Sequence, residues 1–327
     1  MLTVMTRNLF LGADLQPVYA ALADPERLAE VPAAVAAIFN PGEPPGLVQR
    51  TDFATRAVAI AGEIEARRPD VIGLQEAAVW RTRAPGAPAP VVVADHLEIL
   101  EAELARRGLA YRRVAAVTNG DVELPSAAGI GVGLTDRDAI LARSELELSS
   151  VRAANFTSAV QIRTAAGTFA FKRGWASVDV NLPGGAIRFV TAHLEVRSPP
   201  EAGVAQELQM GELLAGPAGT TLPVVLVGDF NARPGSATYE RARAAGFEDA
   251  WTRAHPDGPP GLTCCHRLPL DDPADRLRSR IDHIFTSGGL EVTGAVTVGD
   301  APEDFTAGLW PSDHAGVVAT LDPSQEA

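Results

Sequence analysis

The run Pro223-Val-Val-Leu-Val-Gly228, followed at once by Asp229-Phe230-Asn231, most restricts what this chain can fold into. A strand with one wet face alternates apolar and polar side chains, so a continuous Val/Leu run fits a strand covered on both faces. Such a strand needs layers above and below it. Val71-Ile72-Gly73-Leu74 is a shorter run of the same kind, and it exits at Gln75-Glu76. The chain therefore builds sheet between other layers and presents polar groups where its strands stop.

The remaining elements follow from periodicity and punctuation. Leu2, Val4 and Thr6 alternate with Thr3, Met5 and Arg7 in a strand that delivers Asn8 to its tip. Residues 15–50 are rich in Ala and Pro, with a helical patch near Leu22 to Ile38 and a Pro-Gly-Glu-Pro-Pro-Gly loop, and read as an insertion or lid. The stripe Phe53, Ala57, Ile60, Ala61, Ile64, opened by Asp52 and stopped by Pro69, predicts a helix to Arg68. Leu97, Leu100 and Leu104 predict another over 95–107, stopped by Gly108. Strands are predicted over 109–117, 139–142, 146–151 and 169–180, the last turning through Pro183-Gly184-Gly185 into a strand over 187–194. Ser198-Pro199-Pro200-Glu201 reads as a capping box for a helix to Leu214, and Ser236 caps a short helix that ends near Gly246. Strands over 280–286 and 317–321 close the chain.

Strands in adjacent runs, with helices between some of them, argue for mixed sheets in an α/β fold: two sheets packed together with helices outside. The alternative is a doubly wound single sheet, but no Gly-x-Gly-x-x-Gly opens a helix after the first strand. No fixed-period repeat or linker divides the chain, so residues 1–323 are expected to form one domain, with a short tail at 324–327.

Hydrophobic residues at 46% and charged residues at 21% describe a globular chain with ample apolar surface to bury. The formal net charge of −13 repels polyanions, and no Lys/Arg run offsets it, so duplex DNA is a disfavoured partner. Arg152, Arg163, Lys172, Arg173 and Arg197 would have to gather on one face to reverse that. No apolar run approaches the ~20 residues of a membrane span, and Met1 to Asn8 reads as a strand rather than a leader. A cytoplasmic monomer is the expectation for the sequence as written, and a secreted one if a signal precedes it. Cys264 and Cys265 are adjacent, which excludes a disulfide framework and leaves reduced thiols or a vicinal disulfide near a turn. His283 follows Asp282 on one strand and so faces the other way, while His96, His255 and His266 read as capping or solvated side chains.

Asn8, Glu76, His193, Asp229 with Asn231, and Asp282 with Ser312-Asp313-His314 all stand at strand ends, where function concentrates. Phosphate ester hydrolysis needs charge neutralised on the phosphoryl group, a water made nucleophilic and help for the leaving oxygen. The carboxylate and amide oxygens of Asn8, Glu76, Asp229, Asn231 and Asp313 suit a hard cation such as Mg²⁺, with Mn²⁺ as a substitute. No histidine- and cysteine-rich spacing argues for zinc.

Met-Thr-Arg-Asn8, Asp-Val-Ile-Gly-Leu-Gln75-Glu76, Thr191-Ala192-His193-Leu194, Gly228-Asp229-Phe230-Asn231, Arg280-Ile281-Asp282-His283-Ile284 and Ser312-Asp313-His314 resemble the endonuclease/exonuclease/phosphatase superfamily, in its motif order. The resemblance implies a four-layer α/β sandwich and a metal-dependent phosphoric ester hydrolase. It implies that Glu76 with Asn8 holds the principal Mg²⁺, with Asp313 close by, and that His314, held by Asp282, is general base or charged partner of the phosphate. Asp229 would activate the attacking water and Asn231 would donate to a phosphate oxygen. His193 would lie near the phosphate or leaving oxygen, and Arg173 would face the phosphate. Three readings follow: a hydrolase of small-molecule or lipid phosphoesters, a nuclease, and a catalytically silent binding member. The first is favoured, because the main positions are all filled and the net charge is acidic.

Overall fold

The computed structural model describes residues 1–164 and 167–323; the tail expected at 324–327 lies outside the described residues, as does the side chain of Arg163. The strands are β1 (Leu2–Asn8), β2 (Val71–Gln75), β3 (Val79–Arg83), β4 (Val91–Asp95), β5 (Tyr111–Pro125), β6 (Gly131–Arg143), β7 (Leu148–Asn155) and β8 (Val160–Thr164). They continue with β9 (Gly167–Phe171), β10 (Gly174–Leu182), β11 (Gly185–His193), β12 (Val224–Asp229), β13 (Glu248–Asp249), β14 (Asp282–Ser287), β15 (Glu291–Val298) and β16 (Gly316–Asp322). The helices are α1 (Gln16–Ala23), α2 (Val31–Ile38), α3 (Leu47–Arg50), α4 (Phe53–Arg67), α5 (His96–Arg106), α6 (Pro200–Ala215), α7 (Ala237–Ala244) and α8 (Ala250–Ala254). One sheet has eight strands in the order β15-β16-β1-β2-β6-β3-β4, with β5 also on β6; the second runs β13-β14-β12-β11-β10-β7, and β8 pairs with β9 apart from both. Both large sheets are mixed, because β1 and β2 are parallel, as are β11 and β12, among antiparallel neighbours.

The period-2 alternation of strands sorts the apolar side chains into layers. Leu2, Val4, Val71, Ile140, Val317 and Ala319 of the first sheet meet Val178, Phe189, Val225, Val227 and Ile284 of the second in the central core. The intervening residues Met5, Ile72, Leu74, Leu141 and Val318 point the other way, onto the Ile60, Ile64, Leu97, Leu100 and Leu104 stripes of α4 and α5. Across the sandwich, Val190, Val224, Leu226 and Phe285 receive Met210 and Leu213 of α6 and Tyr239 and Ala242 of α7. The order is helix, sheet, sheet, helix. The apolar run at Val224–Gly228 is thus covered on both faces, as its composition required.

Residues 15–50 fold back over one end. Val18, Ala21, Val31, Val35 and Phe39 pack on Trp80, Val132 and Leu134 of β3 and β6, in a core separate from the central one. Trp80 Nε1 donates to Leu11 O at 2.7 Å and ties the start of this segment to the sheet.

Local departures from the sequence reading have local causes. The strand expected over 169–180 is broken at Lys172-Arg173, so that β9 and β10 lie in different sheets. Ser198 does not cap α6; Pro199 occupies the cap position, and with Pro at the helix start the missing N–H groups leave less to cap. Ser236 does cap α7, accepting from Tyr239 N. No strand is expected from the sequence at β3, β4, β8, β13 or β15.

At Gly73 the sheets approach so closely that a Cβ would stand 2.6 Å from Val227 Cγ2. Gly73→Ala is expected to lower unfolding free energy by about 1–3 kcal/mol through overpacking. Gly184, with nothing within 4 Å of its own added Cβ, is the control. Urea midpoints of Gly73→Ala and Gly184→Ala that do not differ would contradict this account.

Candidate active site

The rows of side chains that build the central core become polar at one rim. On β1 the row Leu2, Val4 continues with Thr6 and Asn8; on β2 Val71 and Gly73 lead to Gln75; on β6 Ile140 is preceded by Asp138 and Asp136. On β11 Phe189 leads to Thr191 and His193, on β12 Val227 leads to Asp229, and on β14 Asp282 stands beside Ile284 on the same row. Register aligns these ends, since Asn8 lies opposite Gln75, His193 opposite Asp229, and Asp229 opposite Asp282. Gln75 Nε2 donates to Thr191 Oγ1 at 2.9 Å and links the sheets beneath the site.

Two backbone turns aim the groups that follow the strands. Gly228 has φ +151° where a Cβ would strike Ala192 O, so only glycine lets β12 bend just before Asp229. Glu76 and Asn231 adopt φ values of 56° and 50°, each the first or second residue past a strand end. Glu76 Oε1 accepts from Asn8 Nδ2 at 3.1 Å and Oε2 from Leu11 N at 2.9 Å. Asp229 Oδ2 accepts from Asn8 Nδ2 at 3.2 Å, and Oδ1 from Asn231 N at 2.9 Å. Asn231 Nδ2 lies 3.3 Å from His193 Nε2 and donates to Leu194 O at 3.0 Å. Arg173 Nη1 lies 3.2 Å from the His193 ring nitrogens, and Nη2 donates to Glu195 Oε1 at 3.3 Å. His314 Nδ1 contacts Asp282 Oδ2 at 2.8 Å, and Nε2 faces Asp229 Oδ2 at 3.8 Å.

Buried arginines fix the loops. Arg56 donates to Leu9 O at 2.7 Å, Phe10 O at 3.0 Å and Pro311 O at 2.9 Å, joining the segment after Asn8 to the one before Ser312. Ser312 Oγ donates to Asn8 O at 2.9 Å, and Arg7 bonds both the carbonyl of His314 and, at 2.8 Å, Glu63 of α4.

The structure brings Asn8, Glu76, His193, Asp229, Asn231, Asp282 and His314 together, with Arg173 and Asp313 lining the cleft beside Glu76. Sequence reasoning missed Asp138, Asp136 and Asn119. Asp138 Oδ1 lies 3.9 Å from His193 Nδ1, and Asn119 Nδ2 donates to Asp138 Oδ2 at 2.9 Å. The available signal was two acids spaced i, i+2 on a strand whose next members of that row are apolar. His283 is buried away from the cleft, its Nε2 2.8 Å from Ala232 O. His96 and His266, expected to be solvated or capping, are buried and stacked on Phe53 and Trp310.

Electrostatics separates the two site histidines. Burial acts to lower the His314 pKa, but the Asp282, Asp313 and Asp229 carboxylates outweigh it and hold the imidazole well above its usual range. Burial, then Arg173 and His314, push His193 well below it. Burial and Asp282 raise Asp229, burial and Asp313 raise Glu76, and burial with Asp136 raises Asp138. Oxygen donors at Asn8, Glu76 and Asp313 in this acid-rich surrounding fit a hard divalent cation.

A two-sheet sandwich with carboxylates, amides and imidazoles at one rim is the architecture of a family of phosphoester hydrolases. Residues 46–314 match the family model described as Endonuclease/Exonuclease/phosphatase family, and the chain belongs to that family. Among solved structures it is similar to an endonuclease/exonuclease/phosphatase from Beutenbergia cavernae, at 21% identity and TM-score 0.60 over 98% of this chain and 71% of that one. It is also similar to a mannosyl-6-phosphatase from Bacteroides thetaiotaomicron, at 18% identity and TM-score 0.59 over 98% of this chain and 100% of that one. TDP2 from Caenorhabditis elegans aligns at 16% identity and TM-score 0.54 over 98% and 74%. At these identities the likeness concerns the fold. No curated protein matches the sequence.

At neutral pH, nitrogen-15 NMR is expected to show His314 as an imidazolium and His193 as a neutral ring. Because the folded pKa of His314 is raised, its linked stability is fully present below the ordinary histidine value of about 6.5 and is lost as pH rises through the folded value. Asp282→Asn should lower that folded pKa and flatten the thermal-stability loss on the alkaline side; an unchanged His314 titration in that variant would refute the assignment.

Proposed function

We propose that this chain is a Mg²⁺-dependent hydrolase of a small-molecule or lipid phosphoester. The observation that carries the reading is the convergence at one rim of the sandwich of a paired His314–Asp282 and a buried Asp229 that accepts from both Asn8 and Asn231, with Glu76 and Asp313 lining the adjoining cleft. Glu76, Asp313 and Asn8 would hold the cation, which supplies charge neutralisation for the phosphoryl oxygens.

The protein's own groups divide the remaining work. Asp229, with its raised proton affinity, is the base that takes a proton from the attacking water. Its Oδ1 is fixed by Asn231 N, while Oδ2 accepts from Asn8 Nδ2 and has a further lone pair for the water. His314 enters the reaction protonated, because three carboxylates face it, and serves as a charged partner of the phosphate rather than a base. Asp282 holds the ring by Nδ1 and leaves Nε2 facing Asp229 Oδ2. Asn231 Nδ2 and the Arg173 guanidinium add donors where negative charge grows. The new bond forms from the water oxygen to phosphorus, and the ester oxygen leaves on the opposite side. Neutral His193 stands beside Asn231 and Arg173, within reach of a phosphate oxygen.

Substrate preference rests on residues 15–50, read here as a lid. Leu15, Tyr19, Ala20 and Ala23, on and just before α1, form an apolar wall of the cleft, continued by Val160 and Val196, while Glu76, Asp313 and Arg173 lie at its polar end. This arrangement supports a phosphoester with an apolar substituent. A polyanion is disfavoured, since Asp14, Asp136 and Glu195 also line the cleft and, of the described basic residues Arg152, Lys172, Arg173 and Arg197, only Arg173 does.

The first test is hydrolysis of bis-p-nitrophenyl phosphate, p-nitrophenyl phosphate, sphingomyelin and plasmid DNA with Mg²⁺ or EDTA. Turnover of a small or lipid ester that EDTA abolishes is expected, and Asp229→Ala or His314→Ala should each lower kcat by roughly 10²–10⁴-fold with an unchanged circular dichroism spectrum. Wild-type rates in either variant would overturn the mechanism, and preferential cleavage of DNA would replace the substrate class.

The rate should also show a bell-shaped pH profile, falling in acid as Asp229 protonates and in base as His314 loses its proton. Asp282→Asn should move the alkaline limb to lower pH. A Leu15→Asp variant should raise KM for apolar esters while leaving kcat nearly unchanged; equal KM values for both enzymes would remove α1 from substrate binding.

A further inference from the structure

His314 has a second set of neighbours that the hydrolase reading does not use. Cys264 and Cys265 form a vicinal disulfide, and Cys265 Sγ lies 3.8 Å from His314 Nε2, the same distance as Asp229 Oδ2 on the acidic side. The two sulfurs and the imidazole nitrogen all lie within 4.8 Å of one another. A tetrahedral Zn²⁺ with ordinary Zn–S and Zn–N bonds places sulfur and nitrogen about 3.6 Å apart. The spacing in the fold is therefore close to that of a shared soft-metal ligand pair.

The backbone that carries the two cysteines is fastened beside the histidine. Cys264 N donates to Ser279 O at 2.8 Å and Ser279 N to Cys264 O at 2.7 Å, so the segment is fastened to the approach to β14. On its other side Ala315 N donates to Thr263 O at 2.7 Å and His266 N to Asp313 O at 2.8 Å, fastening it to the loop that carries His314. Cys264 is buried and Cys265 half-buried.

We propose that the reduced Cys264-Cys265 pair forms with His314 a binding site for a thiophilic divalent cation such as Cd²⁺ or Zn²⁺, and that this capture of His314 switches off the neighbouring oxygen-lined site. Thiolate and imidazole donors select soft and borderline cations, whereas the Glu76, Asp313 and Asn8 oxygens select hard ones, so the two sites discriminate by chemistry. Two thiolates on one such ion stand about 3.8 Å apart, so the disulfide must open first. Opening takes two electrons and two protons to give two thiols, supplied in the test by a phosphine that leaves as its oxide with an oxygen from water. Metal binding then releases the two thiol protons and the proton on His314 Nε2. The binding stands on the Cys-Cys-His geometry alone; only its inhibitory consequence rests on the hydrolase reading.

The test uses the full chain, reduced with a phosphine, desalted anaerobically and checked by thiol counting, in excess Mg²⁺. Titration with Cd²⁺ should produce a thiolate-to-metal ultraviolet charge-transfer band that saturates at one ion per chain. The oxidised protein and the Cys264→Ser/Cys265→Ser double variant should give no band, and His314→Ala should weaken Cd²⁺ binding at least about tenfold. No saturable band in reduced protein, or unaltered affinity in His314→Ala, overturns the site. In the activity arm, one equivalent of Cd²⁺ should lower turnover of the reduced wild type at least tenfold and leave Cys265→Ala unaffected; full turnover with Cd²⁺ bound overturns the switch. A protein that hydrolyses nothing in the panel defeats the hydrolase reading, while the charge-transfer titration still decides the cation site.

Discussion

Each strand that reaches the cleft sends alternate side chains toward the opposing sheet, and that single row has to serve two purposes along its length. Below, it must be apolar and fit a gap of about 10 Å between sheets; at the rim, it must be polar and still find partners, because buried donors and acceptors without them are costly. The bond from Gln75 Nε2 to Thr191 Oγ1 marks the crossover, lying one step above Gly73 and Val227. Above it, groups on the strand ends and on the turns just beyond them are joined by hydrogen bonds across both sheets. Asn8 shows this most clearly: its Nδ2 donates to carboxylates from both sheets, Glu76 on one and Asp229 on the other.

That network has an electrostatic consequence. Carboxylates at positions 76, 136, 138, 229, 282 and 313 are crowded near one another with few cations among them, and burial adds to their repulsion. The crowding is what holds the proton on His314, while Arg173 on the other side of the cleft helps strip it from His193. Two imidazoles in one cleft are thereby pushed to opposite protonation states, which is the usual sign of divided roles. The same crowding would favour a divalent cation at Glu76 and Asp313, the proposed oxygen ligands that line the cleft.

Much of this was legible in the sequence because the informative residues lie at the ends of short apolar runs. Val71–Leu74 and Val224–Gly228 announce buried strands, and Glu76, Asp229 and Asn231 follow them directly. What could not be read were features set by distant partners. The strand β3, Val-Trp-Arg-Thr-Arg, looks unlike a core strand because its arginines pair with Asp121 and Glu123 of β5 across the sheet. His96 and His266 were misjudged because the rings that cover them, Phe53 and Trp310, are 43 or more positions away in the chain. Asp136 and Asp138 were passed over because a charged residue in a strand ordinarily faces water, and only the register of β6 against β2 and β3 turns them inward.

A fixed polar rim leaves little room for substrate choice within it, since moving any one group strains its partners in both sheets. Variation is more easily accommodated in segments that contact the cleft without carrying the sandwich. Residues 15–50 are such a segment: their apolar residues form a core of their own on β3 and β6, so the face of α1 toward the cleft can change without disturbing the central one. The Cys264-Cys265 segment is the opposite case. It is fastened on both sides to the chain that carries Asp282 and His314, so whatever binds there acts on the rim itself.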